Sequence, residues 1–235
     1  MKLYRKMFHD YVKQFDLKDK MIMTKFHHTY RVMDYANEIA LSIHANPKVA
    51  SICGLFHDIG RFEQWTKYHT FIDSISVNHG DLGTEILKNF SIEQKDLVIF
   101  TTKNHNKFQI EVNSNPEFIL YTNIVRDADK LDIMVEQGNQ IDDNDFQINQ
   151  TVIDTILKHQ LVMNQDVKNE ADSILRLLGF VFDINFEYTY QFILDKKIIE
   201  NKIHLLKCYI ENPILETIEK DLLEYVHKKV EGKIC

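Results

Sequence analysis

Apolar residues recur three and four positions apart along most of the chain. The first example is an N-terminal stripe formed by Tyr4, Met7, Phe8, Tyr11, Val12 and Phe15. This spacing is typical of an amphipathic helix that packs one face against a core. Only 7 glycines and 3 prolines interrupt the pattern. The sequence therefore predicts an all-α protein.

Short polar signatures predict where individual helices begin. Asparagine before proline supplies a capping side chain and a residue suited to the first helical position. A serine followed three residues later by glutamine is a capping box. A second helix is expected over about positions 25 to 43 from its apolar spacing. Further starts are predicted at Asn46-Pro47, Asn78, Ser91-Ile92-Glu93-Gln94, Asn115-Pro116 and Asn212-Pro213.

The apolar periodicity breaks after Gly60. This glycine follows His57-Asp58 by two residues and predicts that a helix ends there. Positions 61–77 are rich in aromatic and charged residues without a helical repeat, so we expect a long connection. Such a connection is either a functional loop or an ordinary loop held by its aromatic rings. An acidic connection is also expected over 141–148.

Composition and charge exclude several classes of function. The 28 basic and 35 acidic residues give a net charge of −7, which argues against an extended nucleic-acid surface or a role on anionic membranes. No apolar stretch approaches the ~20 residues of a membrane helix, and the N-terminus lacks the apolar core of a signal peptide. Cys53, Cys208 and Cys235 suit a reducing compartment. A cytoplasmic protein is expected.

Several histidines and aspartates fall on predicted apolar faces or at helix ends. His28 shares a face with Val32, and a buried imidazole needs a carbonyl or a metal as partner. Asp127 and Asp129 lie on opposite apolar faces, so periodicity does not choose between them. Asn104-His105-Asn106 also fits a polar helix end. The candidates are His28, His57, Asp58, His79, His105 and one of Asp127 or Asp129. Together they can hold one or two divalent cations.

The motifs that carry these residues resemble the HD superfamily of metal-dependent phosphohydrolases. The matching segments are His28-Thr29-Tyr30-Arg31-Val32, Leu55-Phe56-His57-Asp58-Ile59-Gly60, His79 to Leu87, and Ala128-Asp129-Lys130-Leu131. The resemblance implies a compact helical bundle. We expect one domain over 1–235, with a metal-binding core at 25–132 and a C-terminal helical extension at 141–235.

The resemblance also implies a ligand set. The usual four ligands map to His28, His57, Asp58 and Asp129, because the family places its last aspartate before lysine-leucine. His79 and His105 map to the additional ligands of two-metal members, in which the central aspartate, here Asp58, bridges the ions. The sequence does not distinguish Mn, Fe, Mg, Zn, Ni or Co.

The expected reaction is hydrolysis of a phosphate ester of a nucleotide or another small phosphorylated metabolite, either a monoester or a diester. Asp58 would hold the attacking water, which a bound cation activates. Arg61 and Lys130 are the nearest cations in sequence and are candidates for binding phosphate oxygens. Glu63 is a candidate proton acceptor. The segment Gly60 to Trp65 is similar to a group of bacterial HD proteins of unassigned substrate.

Two other functions are compatible with this pattern. HD-type di-iron oxygenases resembling myo-inositol oxygenase use the same six ligand types, although they usually carry a lysine shortly after His-Asp, where this chain has Arg61. A non-catalytic sensor could bind a nucleotide and signal through its C-terminal helices, but a binding module has less need of an open metal. Those helices are otherwise expected to be structural, a lid, or the surface of a homodimer.

Overall fold

The computed structural model describes residues 1–142 and 146–232, and all regular secondary structure in these ranges is helical. The predicted all-α class is therefore confirmed. Contacts divide the chain into two compact units, Met1–Asp129 and Lys130–Cys235. The expectation of one domain with a core and an extension stays a prediction. Cys235 and positions 143–145 of the expected acidic connection lie outside the described residues.

The first unit is built from six helices and most of a seventh. Their bounds are α1 Lys2–Val12, α2 Lys20–Ser42, α3 Pro47–Phe56, α4 Gly60–Tyr68, α5 His79–Leu87, α6 Lys95–Asn104 and α7 Pro116–Glu136, with a 3-10 turn at Asp73–Ile75. The Asn46 side chain accepts hydrogen bonds from the N–H groups of Lys48 and Val49, and Asn78 accepts one from Asp81. The helix starts predicted at these two asparagines are confirmed.

The helix end predicted at His57-Asp58 is confirmed, because α3 ends at Phe56 with His57 as its C-cap, but the prediction that Gly60 causes this end is wrong. Gly60 is the first residue of α4, and the expected connection over 61–77 contains this helix and the 3-10 turn. A Cβ on Gly60 would lie 2.8 Å from the backbone nitrogen of Gly83, so the missing side chain lets α4 approach α5. Close packing explains this glycine better than helix termination does.

The capping box predicted at Ser91 is also wrong. α6 begins at Lys95, three residues later than a cap at Ser91 predicts, and the preceding Gln94 has a left-handed backbone conformation with φ of 52°. A residue in that conformation cannot lie in the first turn of a helix, as the predicted box requires of Gln94. Ile92, which lies in the segment before the helix, is buried.

An aromatic core holds the first unit together. Phe8, Phe56 and Phe62 are fully buried, and the Phe8 ring meets both others edge to face, at centroid distances of 6.3 Å and 5.7 Å. α2 crosses α3 closely, because a Cβ on Gly54 would lie 2.9 Å from the Cα of Met33. This crossing sets the middle of α2 beside the last turn of α3, where the predicted metal ligands lie.

The second unit contains the end of α7 and five further helices: α8 Gln150–Leu157, α9 Glu170–Leu178, α10 Glu187–Asp195, α11 Ile198–Lys207 and α12 Ile214–Val230. The buried Lys202 ammonium donates hydrogen bonds to the carbonyl of Gly138 at 3.3 Å and the side-chain oxygen of Asn139 at 3.1 Å, just after α7 ends. Within the described residues, no helix has the length and apolar character needed to cross a membrane.

Candidate metal centre

Six of the predicted site residues converge in the unit Met1–Asp129. They come from the middle of α2, the end of α3, the start of α5, the end of α6 and the second half of α7: His28, His57, Asp58, His79, His105 and Asp129. The first five are buried, and the Asp129 side chain is 22% exposed. Residues far apart in sequence thus form one polar cluster inside an apolar bundle.

Asp58 lies at the centre of this cluster. Its Oδ2 is 3.4 Å from His28 Nε2 and 3.7 Å from His57 Nε2. Its Oδ1 is 3.2 Å from His79 Nε2 and 3.5 Å from His105 Nε2. Each carboxylate oxygen therefore faces a different pair of imidazoles, which is the arrangement that a bridging ligand requires.

Asp129 lies on the His28 side of the cluster. Its Oδ1 is 3.2 Å from His28 Nε2 and 3.8 Å from His57 Nε2. Ligand atoms of His28, His57 and Asp129 lie within 4.8 Å of one another, as do those of His57, Asp58 and His105. Asp127 is fully buried, but it belongs to neither group. Helical periodicity left the two aspartates open, whereas the structure places Asp129 beside the histidines.

Hydrogen bonds at Nδ1 fix the orientation of three imidazoles. His57 Nδ1 donates to the carbonyl of Gly54 at 2.7 Å, and His105 Nδ1 donates to the carbonyl of Thr102 at 2.8 Å. His79 Nδ1 donates to the carboxylate of Asp73 at 2.7 Å. A proton on Nδ1 leaves Nε2 with a lone pair. All three lone pairs therefore point into the cluster, as in metal-binding histidines.

The donor atoms fit a divalent metal. His57 Nε2 is buried and has no hydrogen-bond partner among the described residues, which is costly for a polar atom unless a ligand satisfies it. His79 Nε2 and His105 Nε2 are only 3.0 Å apart, so their lone pairs repel unless a proton or a cation lies between them. Imidazole and carboxylate donors suit borderline and hard divalent ions.

The electrostatics keep the carboxylates ionised. Burial alone would raise the pKa of Asp58, but Lys25 and His57 outweigh it and hold the pKa well below its usual value. Burial likewise opposes ionisation of Asp129, but the neighbouring His28 and His57 outweigh it and hold the pKa of Asp129 well below its usual value. Burial lowers the pKa of His105 to about 4. At neutral pH these side chains are in the forms that bind metals.

The three residues predicted to act with the ligands lie in different environments. Arg61 Nε is 3.5 Å from Asp58 Oδ1, so Arg61 lies at the cluster. The Glu63 carboxylate forms an ion pair with Lys67, one turn along α4. Lys130 is the first residue of the second unit, and its ammonium lies 2.8 Å from Asp183.

Two residues near the cluster were not predicted from the sequence. The Lys25 ammonium is 2.8 Å from Asp58 Oδ2 and 5.3 Å from the centre of the Phe71 ring. Lys25 precedes His28 by three residues and so shares its helix face, a signal that could have identified it. Asp73, the acceptor for His79, follows no periodic pattern, and the sequence gives no comparable signal.

Comparison with protein families agrees with this geometry. Residues 26–134 match the family model described as "HD domain", and this range contains all six residues of the cluster. No curated protein matched the chain, and no solved structure matched it either. HD domains are generally metal-dependent phosphohydrolases, and the buried histidines and aspartates can hold the metal. Residues 26–134 of the chain therefore form an HD domain, the domain of the HD superfamily of phosphohydrolases.

Proposed function

We propose that the protein is a two-metal phosphohydrolase that acts on a phosphate ester of a nucleotide or another small phosphorylated metabolite. The observation that carries this proposal is the position of Asp58, whose two oxygens face two separate pairs of imidazoles. A buried carboxylate between two pairs of histidines has little packing value, but it is suited to bridge two cations. The substrate class rests on the family.

We assign the ligands in two sets. His28, His57 and Asp129 would hold the first cation together with Asp58, and His79 and His105 would hold the second together with Asp58. When bound, divalent ions at such a site lower the pKa of a coordinated water from about 15.7 towards about 7 and offset charge on the phosphoryl oxygens. The protein's task is to fix these donors and to orient the ester.

Lys25 is the cation best placed to bind a phosphate oxygen. Its ammonium contacts Asp58, and its side chain is 17% exposed, so it reaches solvent beside the cluster. Arg61 is less available to a phosphate, because its NH1 group already donates hydrogen bonds to Gln64 at 2.8 Å and to Asp73 at 2.9 Å. We therefore assign Lys25 to the phosphate and Arg61 to the orientation of Asp58.

The sequence predicts that Lys130 binds a phosphate oxygen and that Glu63 accepts a proton, and both roles stay predictions. Lys130 is adjacent in sequence to Asp129, and its pairing with Asp183 would have to loosen before it could bind phosphate. Glu63 would have to leave Lys67 before it could accept a proton. Neither residue is needed for the assignment of the metal ligands or of Lys25.

A screen for released phosphate tests the proposal. Protein purified without chelator, and protein loaded with Mn²⁺, Fe²⁺ or Zn²⁺, would be assayed on phosphorylated metabolites and on mono- and diester p-nitrophenyl phosphates. We expect turnover that EDTA abolishes and metal restores. Oxygen-dependent chemistry on an iron-loaded protein without phosphate release would favour the oxygenase function instead. Nucleotide binding without any turnover would favour the sensor.

Lys25→Gln refines this test. It should raise KM at least tenfold, because it removes a charge placed to contact the substrate. Metal content should not fall, because Lys25 is not a metal ligand and its ammonium competes with a cation for Oδ2 of Asp58. Lys20→Gln is the matched control. Lys20 is the first residue of the same helix, and its side chain is exposed. Equal KM values for the two variants would contradict the role of Lys25.

A further inference from the structure

A polar network lies behind His79, on the side away from Asp58. Its centre is the carboxylate of Asp73, which accepts hydrogen bonds from His79 Nδ1 at 2.7 Å, Arg61 NH1 at 2.9 Å, Gln64 Nε2 at 2.9 Å and Asn106 Nδ2 at 3.0 Å. Four donors around one side chain fix its position closely. Asp73 is the only acidic residue of its 3-10 turn.

Two side chains of α4 hold this turn in place through hydrogen bonds. Gln64 is fully buried, and its amide also contacts the hydroxyl of Ser76 and the carbonyl of Val77, each at 2.9 Å. Arg61 NH1 donates to the carbonyl of Phe71 at 2.6 Å. Arg61 and Gln64 lie one turn apart on α4 and are joined at 2.8 Å. These hydrogen bonds explain why a glutamine is fully buried in α4: its amide holds the segment that carries Asp73 in place.

The same network reaches the proposed bridging ligand. Arg61 lies between two carboxylates, with its Nε 3.5 Å from Asp58 Oδ1 and its NH1 2.9 Å from Asp73 Oδ1. His79 also lies between them, with Nε2 3.2 Å from Asp58 and Nδ1 2.7 Å from Asp73. The position of Asp73 is therefore coupled to the His79 side of the cluster by two independent side chains.

We propose that Asp73 is a positioning residue for the second cation. Its carboxylate, held by Arg61 and Gln64, accepts a hydrogen bond from Nδ1–H of His79. The proton therefore stays on Nδ1, and the unprotonated Nε2 is directed towards Asp58 and His105. A carboxylate behind a histidine ligand fixes the tautomer and makes the imidazole a stronger donor. His57 and His105 have only backbone carbonyls in this position. Asp73 therefore sets the affinity of the second site and leaves the first site unchanged.

Binding of Mn²⁺ to the full chain tests this inference, which rests on the two-metal centre of the proposed function. Stoichiometry and both dissociation constants would be measured by calorimetry for the unmodified protein, Asp73→Asn and Asp73→Leu. The asparagine variant keeps the size and one acceptor oxygen, whereas the leucine variant removes both acceptors. Asp81→Asn is the control, because Asp81 is an exposed acid on the same helix as His79 and its loss changes the net charge equally.

We expect the first dissociation constant to be the same in all four proteins. The second should rise roughly 10-fold to 100-fold in Asp73→Leu and by less in Asp73→Asn, the range found when such outer partners of metal ligands are removed. Asp81→Asn should behave like the unmodified protein. A general loss of structure would instead weaken both sites and lower the helical circular dichroism.

Different failures of this experiment have different meanings. If the unmodified protein binds two ions and both Asp73 variants bind the second with unchanged affinity, the role of Asp73 is wrong and the two-metal function stands. If the unmodified protein binds only one ion, the two-metal function and this inference fail together. If Asp73→Leu does not fold, the result for Asp73→Asn decides. A rise in the second dissociation constant alone supports the inference, and two unchanged dissociation constants overturn it.

Discussion

Gly60 and His79 approach each other so closely that a Cβ on Gly60 would lie 2.2 Å from the carbonyl oxygen of His79. This contact joins the start of α4 to the start of α5. It lets α4 carry Arg61 and Gln64 to the turn that contains Asp73, and it sets His79 against Asp58. A glycine that shapes no turn is thus required for the geometry of the candidate metal centre.

Replacing this glycine should therefore disturb both stability and metal binding. Gly60→Ala forces the two helices apart, and overpacking of this kind costs about 1–3 kcal/mol or more. Urea unfolding would measure the loss, and metal analysis would show weaker binding of the second ion. Gly179→Ala is the control, because the nearest atoms to its added Cβ would be 3.9 Å away. Equal stability of the two variants would contradict the packing role of Gly60.

Several features of the fold followed from local chemistry and could be predicted from the sequence. Asn46 and Asn78 cap helices with their own side chains, so a short sequence signal was sufficient. The burial of His28, His57 and His79 followed from apolar spacing and from helix ends. The inward face of α7 could not be chosen in this way, because both of its faces are apolar near Asp127 and Asp129.

Other features depend on contacts between distant segments, which a local pattern does not contain. Apolar periodicity did not predict α4, because two of its buried positions are Gly60 and Gln64, which are not large apolar residues. Lys25 gains its role only through Asp58, 33 positions away in sequence. Asp73 gains its role through a loop held by α4. The six residues of the cluster were therefore predictable, Asp129 only through the family resemblance, but Lys25 and Asp73, which contact them, were not.

The two aspartates of α7 should respond differently to the same substitution. Asp129→Asn should abolish metal binding at the first site and with it activity, because an amide oxygen is a poorer ligand than a carboxylate. Asp127→Asn should keep bound metal and lose stability instead, because Asp127 is fully buried and hydrogen bonds to charged groups contribute about 1.5–3 kcal/mol. Metal analysis and urea unfolding separate the two effects. A reversed ranking in metal content would refute the assignment of Asp129.

The metal-free protein should lose stability as the pH falls from about 6.5 to about 4. Burial lowers the pKa of His105 to about 4, whereas an unfolded chain binds this proton near pH 6.5. Between these values the unfolded state binds more protons, so acid favours unfolding. Below both pKa values, this difference lowers the free energy of unfolding by roughly 3 kcal/mol.

His105→Gln isolates this contribution, because all other titrating groups are shared with the unmodified protein. Urea unfolding in EDTA at pH 7 and pH 4.5 would give the loss of stability for each protein. The variant should lose less stability on acidification, by roughly 2 kcal/mol, because pH 4.5 does not reach the full effect. An equal loss in both proteins would mean that His105 is not protected from protonation in the folded state.

The most direct test of a two-metal centre bridged by Asp58 is the number of divalent ions bound per chain. Under saturating Mn²⁺, Fe²⁺ or Zn²⁺ we predict two ions in the unmodified protein, roughly 3.5–4 Å apart as in other two-metal hydrolytic sites. His79→Ala should retain one ion. His57→Ala and Asp58→Ala should lose bound metal and activity together while remaining folded and helical. One ion in the unmodified protein, or full metal content in Asp58→Ala, would contradict the account.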